Sequence, residues 1–356
     1  MSARIPEGLA CPLPLSDYPT VQMAHGGGGR LSQVLIEGMF VKAFANPALE
    51  ALGDGAVLDP AGWEPGGRLA LSTDSFVVRP RIFPGGDIGS LAVHGTVNDV
   101  AMCGARPLAI SAAFILEEGF SMEELWLLTS SMRDASLAAG VPVVTGDTKV
   151  VDRGKGDGLY VNTSGVGWIP PGVEVGPGRA RPGDRVVING PIADHGIAIM
   201  SVREGLEFET AIVSDSAALH RLVAGVLERA GAAVHTLRDP TRGGLASALN
   251  EIAGSSRVGV RLDERLLPIR EEVRGACEIL GFDPLYVANE GKCLAIVEAD
   301  RAEEVVEAMC EHPEGSGAAI VGEVVEDHPG RVVLRSRIGG ERVVDMLSGE
   351  QLPRIC

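Results

Sequence analysis

Aromatic residues and lysines are both scarce in this chain of 356 residues. Phe, Trp and Tyr make up 4% of the sequence although hydrophobic residues make up 45%, so the cores must consist of Val, Leu, Ile and Ala. Four lysines stand against 27 arginines. Because arginine keeps its proton in proteins, a lysine that persists in such a chain favours a role for an amine that can lose one. The four are Lys42, Lys149, Lys155 and Lys292.

Positive charge is also in short supply, since the formal net charge is −17. Such a field repels nucleic acid and anionic membranes, so neither is expected as a partner. No apolar run approaches the length of a membrane span, and the first residues do not resemble a signal peptide. We therefore expect a cytoplasmic protein whose thiols stay reduced.

The six cysteines include no C-x-x-C pair and no histidine at zinc-ligand spacing, so no disulfide framework is implied. One of them, Cys356, is the last residue and follows Pro353-Arg354-Ile355. A thiol is the most nucleophilic side chain near neutral pH, and at a chain end it can reach a partner or fold back into a pocket. Chance is the alternative explanation, and the motifs upstream favour a working thiol.

The length and the alternation of predicted strands and helices indicate two α/β domains. A stretch rich in Pro and Gly between residues 170 and 184 marks the boundary. We expect a loose N-terminal arm over residues 1–24 and a first domain over 25–170. A second domain then covers 180–330, and a flexible tail covers 331–356.

Local signals predict the elements around the later motifs. Helices are expected over residues 87–103, from Ser121 to Gly140 with a capping box at its start, and from residue 241 with Asp239 as N-cap. A strand over residues 141–144 is expected to lead directly into a loop at Thr145-Gly146-Asp147-Thr148-Lys149.

Four aspartates in the first half of the chain follow or end predicted strands in short loops. Carboxylates gathered at strand ends make a hard-oxygen site suited to Mg²⁺ held against phosphates. For any single loop aspartate, capping a turn is the commoner role, but four such positions favour a metal. They are Asp54, Asp74, Asp99 and Asp147.

The sequence predicts that backbone N–H groups, rather than a standard phosphate-binding motif, contact a phosphate. The run Gly26-Gly27-Gly28-Gly29 offers unobstructed N–H groups, although polyglycine is more often a hinge. The chain has no Walker A motif. Asp239 to Gly244 places Arg242 and two glycines at a predicted helix start, which suits an anion. Glu290 precedes Gly291-Lys292, and a surface turn is its ordinary interpretation.

Several of these segments occur together and in order. The sequence resembles the hydrogenase maturation proteins of the HypE family, which are related to the PurM-like AIR synthases, from about residue 20 to the end. The segments that carry the resemblance are His25–Gly29, Thr73–Phe76, Gly85–Gly89, Thr96–Ala101, Phe114–Gly119, Thr145–Val150, Asp239–Gly244, Asn289–Gly291 and Pro353–Cys356.

The resemblance implies a two-domain PurM-like α/β (α+β) fold whose N-terminal domains form a β-barrel across a homodimer. It also implies ATP and Mg²⁺ as cofactors, with the four aspartates as metal ligands, and Cys356, Lys149 and Glu290 in the chemistry. Lys149 and Glu290 would act as bases. Nucleotide contacts are implied at Gly26, Gly27, Gly28, Gly29, Thr73, Asn98, Thr148, Asp239 and Arg242.

The implied activity is the ATP-dependent dehydration of an S-carboxamide on Cys356 to an S-thiocyanate. The carbamoyl group would come from the carbamoyltransferase HypF, and the cyano group would pass to iron on a HypC–HypD complex for a [NiFe]-hydrogenase. Two alternatives stay open at this point. One is a small-molecule kinase or synthetase of the same fold, and the other is a non-catalytic maturation scaffold.

Overall fold

The computed structural model describes residues 18–27, 30–50, 65–206, 212–347 and 354–356. In these ranges the chain forms two main β-sheets, one of four strands before residue 170 and one of seven strands after residue 184. Three of the predicted site residues, Asp54, Gly28 and Gly29, lie outside the described residues. Among the described helices, none has the length and apolar character needed to cross a bilayer.

The first unit is built on a mixed sheet with helices on one face. Its helices are α1 (Arg30–Leu35), continued by a π-helical turn (Ile36–Phe40) into α2 (Val41–Ala43), then α3 (Pro47–Glu50), α4 (Ile88–Met102) and α5 (Met122–Ala139). Its strands are β1 (Arg68–Phe76), the short pair β2 (Ile82–Phe83) and β3 (Gly86–Asp87), β4 (Arg106–Glu117), β5 (Val143–Val151) and β6 (Leu159–Ile169). The main sheet has the order β1-β6-β4-β5, so β1 and β5 are its edges.

Local chemistry fixes the ends of the two long helices. Asp87 caps α4, where its carboxylate accepts from the N–H groups of Gly89 and Ser90 at 2.7 and 3.0 Å. Ser121 caps α5, and Gly140 ends it in the left-handed conformation at φ +70°. Both helices therefore begin and end close to the predicted positions.

The two faces of the first sheet differ in what covers them. Alternate residues of β1 and β6 pack against α4, and Thr163 Oγ1 donates to the Ala92 carbonyl at 3.0 Å. The opposite face, which we call the outer face, carries Leu69 and Leu71, which are 55% and 78% exposed. Within the described residues this sheet is open and does not close into a barrel.

The second unit places its helices around a larger sheet. Its strands are β7 (Arg185–Ile188), β8 (Val234–Arg238), β9 (Gly259–Asp263), β10 (Leu294–Val297), β11 (Ala319–Val325), β12 (Val332–Arg335) and β13 (Glu341–Val344), in the order β13-β12-β9-β11-β7-β10-β8. Its helices are α6 (Asp194–Arg203), α7 (His220–Ala230), α8 (Gly244–Ser256), α9 (Glu271–Leu280) and α10 (Ala302–Cys310). The mixed α/β class predicted for both halves is confirmed.

Several local predictions were wrong. The segment from Thr145 to Lys149 is part of β5 rather than a loop, because β5 continues its pairing with β4 through it. Asp74 lies inside β1, and Asp99 lies inside α4. Helix α8 begins at Gly244, so Asp239 is not its N-cap. In the arm predicted to be loose, Val21 is fully buried and donates its N–H to the Phe120 carbonyl at 2.7 Å.

Candidate active site

The C-terminal tail folds back into the molecule. Its last residues pair antiparallel with the segment that leaves β1, since Val77 N–H donates to the Cys356 backbone oxygen at 3.1 Å and Arg79 N–H donates to the Arg354 carbonyl at 3.2 Å. Ile355 is 1% exposed and joins the core of the first unit. The tail therefore adds a short extended segment beyond the β1 edge of the sheet.

Side chains from both units hold this tail. Arg354 forms an ion pair with Asp157, and its Nε donates to the Val77 carbonyl at 3.0 Å. Arg203 of α6 donates to the Arg354 carbonyl, and His195 lies 2.9 Å from the Ile355 carbonyl. None of the residues Asp157, His195 and Arg203 was singled out from the sequence, because each is remote from the tail along the chain.

The Cys356 thiol lies in an acidic, half-buried environment. Burial, together with the nearby Glu290 and Asp74, raises its pKa to about 12, while Arg242 opposes them. The thiol is therefore protonated while the tail is docked. Since the thiolate is the nucleophilic form, the docked thiol is a poor acceptor for a carbamoyl group, whereas a neutral S-carboxamide meets no such penalty.

Glu290 is buried rather than part of a surface turn. It is 4% exposed, and its Oε1 is buried without a hydrogen-bond partner among the described residues. Burial and the neighbouring carboxylates hold its pKa well above the usual range. Its backbone is fixed by Asp215, whose Oδ1 accepts from Glu290 N–H at 3.1 Å. A side-chain Cβ on Gly291 would lie 1.8 Å from the Asp215 carbonyl oxygen, so only glycine fits after Glu290.

Three aspartates complete an acidic cluster beside the tail. Asp99 accepts from Ser72 Oγ at 2.7 Å, and burial and Asp74 raise its pKa. Burial and Asp99 raise the pKa of Asp239 to about 7. Each of these groups resists ionisation because it is buried near other carboxylates, so a cation placed among them would relieve the repulsion.

The cluster suits a divalent cation that is shared with a nucleotide. Among the described residues no three His, Cys, Asp or Glu side chains form a metal site by themselves. Mg²⁺ in phosphate-transfer sites uses one or two carboxylates, and phosphate oxygens and waters supply the other ligands. Asp74 and Asp99 are the described carboxylates that fit this pattern, since they share one corner of the inner face.

The other predicted site residues lie at the far edge of the sheet. Asp147 and Lys149 point from β5 to the outer face, and each side chain is 61% exposed. Lys149 Nζ lies 2.5 Å from Asp147 Oδ1, and this hydrogen bond lowers the pKa of Asp147. Gly26 also lies at this edge, where a Cβ on it would come 2.3 Å from Val150 N.

The pairing register of the strands places Asp74 on the inner face of the sheet and Asp147 and Lys149 on its outer face. Asp74, Thr163, Ala112 and Gly146 share one row across the four strands, so their side-chain positions share the inner face, whereas Asp147 belongs to the next row and faces outward. From the tail to β5 the chain spans four strand spacings of about 4.8 Å each. Within one chain, Lys149 therefore lies far from the thiol that it was predicted to serve.

The remaining predicted nucleotide contacts, Arg242, Thr73 and Asn98, lie in three different places. Arg242 is exposed and opposes the rise in the pKa of both Asp74 and Cys356, so it belongs to the tail site. Thr73 lies on the outer face of β1, where its Oγ1 accepts from Ser164 Oγ at 2.9 Å. Asn98 is buried and joins the two units, since its Nδ2 donates to Ala217 O at 2.9 Å and its Oδ1 accepts from Leu219 N at 2.7 Å.

An apolar cavity lies beside the β5 edge. It measures about 250 Å³, and the helices from α1 to α3 supply one wall through Ile36, Phe40 and Phe44. Thr148 and Asp147 contribute its polar rim. Such a cavity, mostly apolar with a few polar groups on one side, is typical of sites for planar aromatic ligands such as a nucleotide base.

Comparison with known proteins identifies the family. Residues 52–169 match the N-terminal domain of AIR synthase related proteins, and residues 181–335 match their C-terminal domain. The carbamoyl dehydratase HypE of Azotobacter vinelandii is 56% identical over 337 residues, which cover 95% of this chain and 97% of that protein. The chain belongs to the HypE family. The resemblance read from the motifs and the predicted class of enzyme, a carbamoyl dehydratase, are thereby confirmed.

Two solved structures of the HypE family add a ligand and a partner. A crystal structure of HypE in complex with ATP aligns with a TM-score of 0.90 at 49% identity and covers 95% of this chain and 100% of that one. The HypE chain of a HypE–HypF complex aligns with a TM-score of 0.77 at 47% identity and covers 88% of this chain and 99% of that one.

Proposed function

We propose that this protein uses ATP to dehydrate an S-carboxamide on Cys356 to an S-thiocyanate. The observation that carries the proposal is the docked tail, which places the terminal thiol beside Glu290, Asp74 and Arg242. The homologous carbamoyl dehydratases and the ATP complex of a relative support the same reaction. The thiocyanate would supply the cyanide ligands of a [NiFe]-hydrogenase iron centre.

The chemistry fits the groups at this site. An amide oxygen is a poor leaving group, and transfer of the terminal phosphoryl group of ATP to that oxygen converts it into phosphate. Removal of the two N–H protons then expels phosphate and leaves a C≡N group on sulfur. Glu290 is the carboxyl whose charge acts most strongly on the Cys356 thiol, and its raised pKa makes it a stronger base once a bound cation favours its ionised form.

In this proposal, different residues bind Mg²⁺ and the nucleotide. Asp74 and Asp99 would hold Mg²⁺, which neutralises charge on the phosphates when it is bound, and Arg242 would face the phosphates from the second unit. Asp54 joins these ligands as a prediction only. Gly26, Thr148 and the apolar cavity would hold the remainder of ATP at the β5 edge.

The separation of these two groups favours a homodimer. The tail site lies at the β1 edge of the sheet, whereas the cavity and Lys149 lie at the β5 edge, so one chain does not bring them together. Both β1 and β5 are edge strands with unpaired backbone groups, and the outer face exposes Leu69 and Leu71. We propose that a second copy places its β5 edge next to the β1 edge of the first, so that Lys149 acts on the partner's Cys356 and Asp147 joins the metal ligands there.

The buried thiol favours a tail that moves. A carbamoyl group must be accepted by the thiolate, and burial disfavours that form in the docked position. We therefore propose loading by HypF with the tail outside, dehydration with the tail docked, and delivery to a HypC–HypD complex with the tail outside again. All of these steps would take place in the cytoplasm.

Mass spectrometry of the C-terminal peptide tests the proposal. The protein is incubated with HypF, carbamoyl phosphate, Mg²⁺ and ATP, and the Cys356 peptide is followed in time. We expect a carbamoyl adduct that loses one water only when ATP is present, and no adduct in Cys356→Ala. An adduct that never dehydrates would instead indicate a carrier, and ATP consumption without an adduct would indicate a small-molecule kinase.

A further inference from the structure

The docked tail touches a buried histidine that the reaction above does not use. We propose that His195 is a positioning residue that holds the tail in its docked state and ties that state to the placement of Glu290. The inference rests on the proposed role of Cys356. It concerns a contact of the tail backbone rather than a step of the chemistry.

The geometry around His195 fixes its tautomer. The residue is fully buried on α6, and the edge of its ring meets the Phe83 ring at 5.5 Å between centroids. Its Nε2 lies 2.9 Å from the Ile355 carbonyl oxygen. Because a carbonyl oxygen only accepts, Nε2 carries the proton, and Nδ1 accepts from Ser214 Oγ at 2.7 Å.

Ser214 belongs to the segment that positions Glu290. Residues 213–218 run between the tail and Glu290, and Ser214 N–H donates to the Pro84 carbonyl at 2.8 Å. The next residue, Asp215, accepts from Glu290 N–H, and Ala217 N–H donates to the Glu290 carbonyl at 3.4 Å. The buried ion pair of Asp215 with Lys292, at 2.9 Å, anchors the same segment.

One chain of hydrogen bonds thus joins the tail carbonyl, His195, Ser214 and the segment that holds Glu290. If the tail leaves, the Nε2–H of a fully buried ring loses its acceptor, which is unfavourable for that state. The docked state is favoured accordingly. The same contact couples tail docking to the position of Glu290, since both depend on the orientation of Ser214.

Alkylation of Cys356 measures docking without any enzymatic step. Full-length protein is treated with iodoacetamide, and peptide mass spectrometry follows each cysteine. Cys103 and Cys310 are exposed and serve as references for reactivity, while Cys277 and Cys293 are buried and report on unfolding. In His195→Ala we expect Cys356 to react about five-fold faster, the effect of losing one ordinary hydrogen bond.

Two further variants separate docking from general damage. In His195→Gln the side-chain amide can donate in place of Nε2, so we expect a rate close to that of the wild type. Ser201→Ala removes a buried hydroxyl on the same helix that donates only to the Ala198 carbonyl, and it should leave Cys356 unchanged. In single-turnover dehydration of carbamoylated protein, His195→Ala should be slower and His195→Gln restored.

Unchanged alkylation of Cys356 in His195→Ala, with Cys277 and Cys293 still protected, would overturn the inference. So would equal acceleration in His195→Gln and His195→Ala, because the donor would then not matter. Failure of the proposed function looks different: the wild-type carbamoylated protein would not dehydrate at all, whereas the alkylation rates would still rank as expected.

Discussion

Glu290, Asp239 and Cys356 carry acidic groups whose protonated forms are favoured by burial and by one another. Ionising them in the unliganded protein would bring like charges together in a buried site, and a bound cation would offset that repulsion. The site is therefore arranged for its ligands rather than for the stability of the empty chain. Two predictions at this scale follow from the protonation of single residues.

Replacing Asp239 by Asn should stabilise the unliganded protein at high pH. The pKa of this carboxyl is raised from 3.8 to about 7 in the folded state, so the unfolded chain releases the proton first and the free energy of unfolding falls as the pH rises between these two values. We expect Asp239→Asn to be more stable than the wild type by at least about 1 kcal/mol at pH 8, and the two proteins to be nearly equal only at about pH 3, where the carboxyl is protonated in both the folded and the unfolded state. Thermal unfolding across this range measures it, and a difference independent of pH would contradict the assignment.

Replacing Glu290 by Gln should block dehydration after loading. The variant keeps the shape of the side chain but cannot take up a proton, so we expect the rate of water loss to fall by at least about a hundred-fold. Carbamoylation by HypF should continue, and the adduct should accumulate in the mass spectrum. The exposed Glu278→Gln is the matched control. A variant that dehydrates at the wild-type rate would remove Glu290 from the proton transfer.

Helix α4 is the element on which the site depends most. It carries Asp99 towards the acidic cluster and Asn98 towards the second unit, and it packs against the inner face of β1 and β6. Its start is fixed by the Asp87 cap, and its small residues allow the sheet to approach closely. Both ligand placement and the junction of the two units therefore depend on one helix.

Removing the cap of α4 should weaken the whole protein. Asp87 satisfies two N–H groups at the start of the helix, so Asp87→Ala should lower the free energy of unfolding by about 1–2 kcal/mol. Urea denaturation followed by circular dichroism gives the value. Asp134→Ala, which removes an exposed carboxylate on α5, should change stability by less than about 0.5 kcal/mol. Equal effects of the two changes would argue against the cap.

At the scale of the whole molecule, the predicted site residues occupy opposite edges of one sheet. The tail, Asp74 and Glu290 lie at the β1 edge, and Asp147 and Lys149 lie at the β5 edge on the other face. A homodimer that joins unlike edges would unite the two groups twice by symmetry. The predictions below test that arrangement.

Mixing two inactive variants should restore activity. If Lys149 serves the partner's tail, a heterodimer of Lys149→Ala and Glu290→Gln contains one site with both native residues. Random assembly of equal amounts after mild unfolding and refolding should recover about a quarter of the wild-type dehydration rate. If both residues act within one chain, no site is complete and the mixture stays inactive.

A charge on the outer face should prevent dimerisation. Leu71 is 78% exposed and central on β1, so Leu71→Glu should give a monomer in analytical ultracentrifugation and lose dehydration. The exposed Leu137→Glu on α5, which is 71% exposed, is the control and should leave the assembly unchanged. A Leu71→Glu protein that still forms the wild-type assembly would reject this face as the interface.

Local sequence signals predicted a substantial part of the fold. The starts and ends of α4 and α5 depend on Asp87, Ser121 and Gly140, whose effects act within one turn, and each was found near its expected place. The strand at Thr145–Lys149 was missed because its polar residues resemble a loop. Their strand conformation comes from pairing with β4, which is distant along the chain.

The sequence alone determined the family, because ordered motifs and a terminal cysteine are local features that persist without coordinates. It also predicted Asp74 and Asp99 as metal ligands, Arg242 before its two glycines as an anion contact and, through the family resemblance, Glu290 as a base. Only the tertiary structure decided that Glu290, Asp74 and Arg242 lie near Cys356 and that Lys149 does not within the same chain. Strand order and the face on which a side chain lies depend on pairing between distant segments. The docking of the tail against His195 depends on burial by both units, so no short segment encodes it.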